Sequence, residues 1–380
     1  MRIGINASFL RKPGTGIGQV TEGFLRQLFA GLGTADGHEY ILYLEQERDD
    51  FTLPQNVKKR VVLPWWRRDD LIRKYLWERR VLPREARRDG CEAFLSLYQS
   101  ASIFPEEMFH VMVVHDIIPE LFPEYQGNIR KAGYWKSVKQ GIGHASRIIA
   151  VSQTTKDDIG EYLGIPEGRI SVAYPSIAPV FKKELTEDAV QSVLARYGLE
   201  PGYLYHGGGL EIRKNTETLL RAYAGLLKKG ASVPPLVISG TIHSTSNPLA
   251  TDVARIIAEL GIGHQVKLLG FVPEANLPAL YRGAKLFIYP SLYEGFGLPV
   301  LEALASGTPV ITTRGGALPE VAESAARYID PENEEEMQGA ILALLEEREE
   351  RERLSLAGRG QAEKFDWEHF TRAILETFEK

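Results

Sequence analysis

The chain has 380 residues, 44% of them hydrophobic and 25% charged, with a net charge of −5; the composition is that of a soluble globular protein, and the length exceeds what one core usually organises. The acidic balance speaks against a nucleic-acid binder, whose footprint is a net-basic domain, and the single Cys91 excludes both an intrachain disulfide and a cysteine-held metal. No run approaches the roughly 18 apolar residues of a spanning helix, and MRIGINASFLRKPG enters a strand without a signal-type apolar core, so the expected location is the cytoplasm.

Residues 2–7 read as a strand, and the loop RKPGTGIG (11–18) leads into a helix with Val20, Phe24, Leu25 and Leu28 on one side. Gly14, Gly16 and Gly18 alternate and come too late after the strand for the dinucleotide fingerprint G-x-G-x-x-G; a surface turn is the plain alternative. Strands at 39–44, 60–63, 93–97 and 110–114 alternate with helical or irregular stretches, which predicts a parallel sheet covered by helices on both faces. Residues 65–88, WWRRDDLIRKYLWERRVLPREARR, set Leu71, Ile72, Tyr75 and Leu76 at helical spacing among Arg67, Arg68, Arg73, Lys74, Arg79 and Arg80. Such a segment either lies on an anionic membrane surface or packs on the sheet with its arginines solvated.

The strand at 110–114 runs into His115-Asp116, so an imidazole and a carboxylate leave the carboxyl end of a sheet strand, where α/β proteins bind ligands; a purely structural pair is the alternative. RIIAVS (147–152) is a further strand, followed by a helix that Ser152 caps, and 170–174 closes this half. Residues 175–184, with Pro175 and Pro179, read as a linker, which divides the chain at 178/179. A second alternating set follows. Strand 203–206 ends in Gly207, Gly208 and Gly209, and Arg213-Lys214-Asn215 precedes a helix at 216–228 with Asn215 as its expected cap. Two cations beside a glycine loop suit a diphosphate, Arg gripping oxygens in a fork and Lys as a point charge; solvated surface cations are the alternative. Further strands are expected at 236–239, 266–269 and 309–312.

KLFIY (285–289) is a short β-rich run that ends at Pro290, and SLYEGFGLPVLEALASGT (291–308) follows it. Gly295 and Gly297 let the backbone turn, Pro299 suits a first helical turn, and Val300, Leu301, Leu304 and Ala305 form an apolar stripe that stops at Gly307. Leu298 stands where a capping oxygen is usual, so the orphan N–H groups there suit an anion. Glu294 and Glu302, eight residues apart, would lie roughly 80° apart on one continuous helix at about 100° per residue. With the helix starting at Pro299, both carboxylates edge one pocket and suit hydroxyls rather than phosphate. Two solvated glutamates at an ordinary loop-to-helix junction are the alternative. Residues 330–359 read as charged, solvated helix, and 365–380 as an amphipathic helix carrying Trp367, Phe370, Ile374, Leu375 and Phe378.

EGFGLPVLE (294–302) resembles the E-x7-E motif of the retaining nucleotide-sugar glycosyltransferases of family 4, and VHDIIPELFPEY (114–125) resembles their H-D-x-x-P segment. The resemblance implies the GT-B fold, two Rossmann-like parallel-sheet α/β domains facing a cleft: residues 1–178 on the acceptor side, completed by a returning helix at 364–380, and 179–363 on the nucleotide-sugar side. It implies that His115 contacts the transferring sugar with Asp116 beside it, that Gly16 approaches donor and acceptor, and that Arg213 and Lys214 neutralise the leaving diphosphate near Gly209. Glu294 would then sit by the donor sugar and Glu302 on the ribose hydroxyls, with the amides of Gly295, Phe296, Gly297 and Leu298 on the diphosphate and the base against Gly240, Gly270, Phe271 and Val272. Many members carry an extra Arg after the first glycine, where this chain reads Gly-Gly-Gly, so Arg213 acts alone with Lys214. The implied reaction moves a hexose from GDP-mannose or a UDP-hexose to a hydroxyl of a glycan or lipid-linked acceptor, with retention and without metal or other cofactor. HDIIPE leans towards bacterial mannosyltransferases, and a lipid-linked acceptor would place the protein at the inner face of the plasma membrane. A nucleotide-sugar-binding sensor without turnover, and an epimerase or phosphorylase on the same fold, are the alternatives.

Overall fold

The structure is a computed structural model and describes residues 1–379 apart from 34–36, 49–50, 63–69 and 242–246. The chain divides into two compact units, Met1–Ser176 with Asp366–Lys380, and Ile177–Phe365.

The first unit is built on a parallel sheet of seven strands in the order β3-β2-β1-β4-β5-β6-β7, where β1 is Arg2–Asn6, β2 Glu39–Leu44, β3 Val57–Val61, β4 Ala93–Ser96, β5 Phe109–Val114, β6 Arg147–Ala150 and β7 Ile170–Val172. Its central strands are buried nearly throughout, as parallel strands covered on both faces must be. β3 begins three residues before the expected strand; the register of this VKKRV stretch is set by pairing with β2, Tyr40 opposite Val57, rather than by apolar alternation. The order reverses between β1 and β4, so the loops after β1, β4 and β5 share one end of the sheet. The returning helix Trp367–Leu375 packs on the helix Gly16–Gln27, where a Cβ on Gly23 would stand 2.4 Å from the Trp367 ring; only glycine lets the indole so close.

Within 65–88, residues 65–69 lie outside the described residues. From Asp70 to Arg88 the chain is helical, and Trp77, Leu82 and Ala86 are buried in a cluster with Phe94 and Tyr43. The basic side chains here are not all solvated. Arg73 lies 3.2 Å from the buried Glu45, and Lys74 sits over the rings of Phe9, Tyr98 and Tyr134 at 4.9 to 5.2 Å. Glu78, fully buried, accepts from the Tyr98 and Tyr134 hydroxyls and the Ala101 N–H. Among the described residues of this stretch, Ile72 and Tyr75 are the large apolar side chains that reach the surface.

The second unit has a parallel sheet of six strands in the order β10-β9-β8-β11-β12-β13, where β8 is Tyr203–His206, β9 Leu236–Ser239, β10 Val266–Gly270, β11 Ala284–Tyr289, β12 Val310–Thr312 and β13 Ala326–Tyr328. The expectation that 330–359 is simply solvated does not hold: the helices Glu334–Glu346 and Arg348–Glu363 bury Met337, Ile341, Leu344 and Leu354 in the core under this sheet, and only their outer faces carry the charge. No helix of the described residues is long and apolar enough to cross a membrane.

Three buried histidines tie stability to pH. Burial disfavours the charged imidazole and lowers His110 to about 3, His115 to about 4 and His206 to about 4, from an ordinary 6.5. Each folded value lies below the unfolded one, so this stabilisation is complete above about 6.5 and is lost as pH falls towards 4 and 3, because the unfolded chain then binds protons the folded chain refuses. Urea denaturation should therefore give a clearly lower midpoint at pH 5 than at pH 7.5. Equal midpoints would mean that the histidines are not held neutral by the fold.

Candidate functional site

In the second unit the strand order reverses between β8 and β11, so the loops leaving these two strands flank a crevice of the kind in which open parallel sheets take ligands. The loop after β8 carries Arg213 and Lys214 in a single 3-10 turn, Ile212–Lys214, and the loop after β11 carries Ser291 to Gly297. The Leu292 N–H donates to the Arg213 carbonyl at 2.8 Å, which fastens one loop to the other.

Glu294 is 6% exposed, and one of its oxygens collects four groups. Oε1 lies 2.7 Å from Arg213 Nη1 and accepts from Lys214 Nζ at 2.7 Å, from the Tyr289 hydroxyl at 2.9 Å and from Ser291 Oγ at 2.6 Å. Oε2 has no partner among the described residues. Burial pushes the Glu294 carboxyl up, but the two cations outweigh it and hold the group at about 2, so it is ionised at any ordinary pH. Lys214 is held below its usual range by burial and by Arg213, while Glu294 draws Arg213 upward against its own burial. Lys214 also donates to the Tyr289 hydroxyl at 2.5 Å, with its ammonium 5.2 Å from that ring. Arg213 Nε is buried without a hydrogen bond, 3.4 Å from Glu211 Oε2. The solvated-glutamate and solvated-cation readings are thereby corrected: the charges are buried and answer one another.

The helix Leu298–Ala305 begins with Gly297, not Leu298, in the cap position, at φ 112°, and no side chain caps it. Gly316 explains how the preceding loop is held: the Ala317 N–H donates to the Glu294 carbonyl at 2.8 Å, and a Cβ on Gly316 would stand 2.2 Å from that oxygen. Phe296 turns its ring edge-on to Phe365, 5.6 Å away. Gly208, at φ +90°, lies so near Pro299 that a Cβ there would meet its ring at 2.5 Å, so the glycine loop and the helix start are neighbours. Gly209, Gly240 and Gly270 also come together: a Cβ on Gly240 would be 3.5 Å from the Gly209 Cα, and the Gly240 N–H donates to the Gly270 carbonyl at 2.9 Å. Phe271, next in line, is 68% exposed, whereas Val272 is buried.

Glu302 is buried one turn into the same helix and accepts from the Tyr281 hydroxyl at 2.8 Å. The Tyr281 hydroxyl thus holds Glu302, while the Tyr289 and Ser291 hydroxyls hold Glu294. Tyr281, Tyr289 and Ser291 were missed in the sequence; a hydroxyl at the end of β11 and one just beyond it are the sequence trace that two of them leave. Asn215 occupies the cap position of the helix Thr216–Lys228, but it adopts a left-handed backbone at φ 56° and its side chain bonds Thr218 and the Pro331 carbonyl instead of a helix N–H. Ser152, in contrast, caps its helix through the Thr155 N–H.

His115, Asp116 and Gly16 belong to the first unit. The His115 Nε2 lies 2.9 Å from the Leu97 carbonyl, which can only accept, so Nε2 carries the proton and the neutral ring presents Nδ1 as an acceptor. Asp116 turns its carboxylate to the Ile118 N–H at 3.0 Å, which shapes the turn beneath the histidine. Gly16 is the first residue of its helix rather than part of a free loop, with Thr15 as the cap, bonded to the Gly18 N–H. Among the described residues no three His, Cys, Asp or Glu side chains gather to hold a metal.

A family model described as glycosyltransferase family 4 matches residues 21–180, and one described as glycosyl transferases group 1 matches residues 198–361. The chain is 32% identical over 270 residues to the O-antigen chain mannosyltransferase B of Escherichia coli, a match that spans 70% of this chain and 69% of that protein. Its fold is that of the sucrose-phosphate synthase of Thermosynechococcus elongatus, with a TM-score of 0.76 at 17% identity over 100% and 98% of the two chains. It is also that of the Anabaena HepE protein, solved in complex with UDP and glucose, with a TM-score of 0.74 at 18% identity over 100% and 99%. These are GT-B structures, and the two parallel sheets belong to that fold.

Proposed function

The chain belongs to the family 4 glycosyltransferases, in a group resembling bacterial mannosyltransferases, and from that premise we propose that it transfers mannose from GDP-mannose, with retention of configuration, to a hydroxyl of a growing glycan or a lipid-linked acceptor. The observation that carries the reading is the buried Glu294–Arg213–Lys214 cluster at the reversal of the second sheet. Two fixed cations at a low-dielectric crevice stabilise the charge of a departing diphosphate, with no reorganisation needed as the bond breaks. The uncapped helix start at Gly297 and Leu298 adds N–H donors for the same oxygens. Glu294 Oε2 is the oxygen left to meet the sugar, Glu302 suits the ribose hydroxyls, and Gly240, Gly270, Phe271 and Val272 offer backbone and a ring to the base. In the first unit, His115 Nδ1 accepts a hydrogen bond from a sugar hydroxyl, and the acceptor approaches on the side of Gly16.

Arg213 and Lys214 make a metal unnecessary in this mechanism. Intact protein should turn over GDP-mannose in preference to UDP- and ADP-hexoses, in EDTA as well as without it. Binding of the nucleotide with no transfer to acceptor and no release of sugar to water would instead favour a sensor, and activity lost in EDTA and restored by manganese would overturn the metal-free scheme. A cytoplasmic protein with a lipid-linked acceptor would meet the inner face of the plasma membrane, and among the described residues 70–88 Ile72 and Tyr75 are the large apolar side chains exposed to touch it. Co-sedimentation with anionic vesicles should then fall as salt rises, since attraction is screened within about 8 to 10 Å at ordinary ionic strength; absence of binding at every salt concentration would leave the segment as sheet packing alone.

A further inference from the structure

At the opposite end of the second sheet, where β11 and β12 begin, lies a cavity of about 250 Å³ whose polar lining includes Arg282, Arg359, Ser306 and Thr308. None of these residues belongs to the transfer site described above. Arg282 donates to the carbonyls of Lys183 and Leu185 at 2.7 and 3.3 Å, which fixes its guanidinium, and its Nε is buried with no hydrogen bond. Arg359 lies against Gly307, so close that a Cβ on that glycine would stand 2.4 Å from its Nε, and it makes no hydrogen bond or ion pair among the described residues. Ser306 is 2% exposed, and its Oγ is likewise buried without a partner.

Arg282, half-buried, and Arg359, exposed, line this one cavity and repel each other, and an anion held between them would relieve that repulsion. The nearest acids do not serve. Glu187 is exposed and bonded to Gln191, Glu184 reaches Arg282 only at a distance, and Glu352, beside the adjoining cavity of about 410 Å³, is paired with Arg348 at 2.7 Å. That adjoining cavity adds Lys285 and Arg351 to the same region and shares Gly307 and Arg359 with it. Part of the positive charge complements the carboxyl end of the helix Leu298–Ala305, but the last carbonyls of that helix already accept from the Ser306, Gly307 and Thr308 N–H groups. The orphaned Arg282 Nε and Ser306 Oγ are not explained by it.

We propose that this cavity is a second anion site, for a phosphate-type tetrahedral oxyanion gripped by Arg282 and Arg359 and hydrogen-bonded by Ser306. Guanidinium forks match such oxygens bidentately, and the Ser306 hydroxyl supplies the uncharged donor. Bare inorganic phosphate and the phosphate of a monoester are the two sources this chemistry admits.

Calorimetric titration of intact protein at fixed ionic strength, with inorganic phosphate in one arm and glucose 6-phosphate in the other, tests this. Arg359→Gln removes a side chain that makes no internal hydrogen bond, so the variant should fold, and it should weaken binding about tenfold or more, as loss of a charged hydrogen-bond partner does. Ser306→Ala should weaken it by a smaller factor. Phosphate bound at the Arg213–Lys214 end would be unmoved by either change, so equal affinity in the wild type and Arg359→Gln overturns the proposal, as does absence of binding in both arms. The tighter arm identifies whether the cavity takes the bare ion or a monoester.

Discussion

Glu294→Gln should reduce kcat by about 10²-fold or more while leaving nucleoside diphosphate affinity undiminished. The substitution keeps the shape of the side chain and removes the buried carboxylate that Arg213 and Lys214 both reach at 2.7 Å, leaving Glu211 3.4 Å from Arg213 Nε. If Oε2 stabilises positive character developing on the sugar, that interaction belongs to the transition state, and its loss appears in kcat; removal of a single preorganised electrostatic partner costs about 10² to 10³. The same change withdraws a negative charge from beside the diphosphate position, so the ground-state affinity for the anion holds or rises. Stability should fall as well, by roughly 3 to 5 kcal/mol if the cations are left unpaired in a buried setting, and by less if Lys214, already held below its usual range, sheds its proton. Steady-state kinetics with a melting curve decide the matter. A variant with near-normal kcat and a raised KM would remove Glu294 from the transition state and leave it a binding group.

Lys214→Met should weaken nucleoside diphosphate binding by a few kcal/mol, the scale of a charged hydrogen-bond partner, and should lower stability at the same time. The reason for the second effect lies in the cluster. Without Nζ, Glu294 Oε1 keeps Arg213, Tyr289 and Ser291 but loses a 2.7 Å ammonium contact, and the Tyr289 hydroxyl loses its 2.5 Å donor. Because the two charges answer each other, the double variant Lys214→Met/Glu294→Gln should lose less stability than the sum of the single losses while remaining inactive, as contacting groups in one network are non-additive. Losses that simply add would show that Lys214 and Glu294 act independently and that the cluster is not a unit.

Much of this site could be read in the chain before any fold was known. EGFGLPVLE with its two glutamates, the RKN turn, the glycine run after β8 and His115-Asp116 at the end of β5 each lie within a dozen residues, and short-range pattern is what a sequence states directly. So are the strands, whose apolar runs are bounded by Gly and Pro; β13, Ala326 to Tyr328, leaves no such trace because its exposed central Arg327 breaks the apolar run that the equally short β12 carries.

What the sequence determined by itself was therefore local: which segments are strands, where the helices begin, and which charged residues stand at strand ends. The tertiary structure decided which of them meet. Glu294 and Lys214 are 80 residues apart and touch because β8 and β11 are neighbours in the sheet, an adjacency set by strand order and not by spacing along the chain. Burial likewise belongs to the fold: the same carboxylate would be a solvated surface group at an exposed junction, and it becomes the counterion of two enclosed cations because Tyr289, Ser291 and the Gly315–Ala317 backbone close around it. The tautomer of His115 was set in the same way, by a carbonyl on the neighbouring strand's loop. Hydrogen bonds and desolvation act across space, so their partners are specified by the packed sheet, which the order of residues implies and does not display.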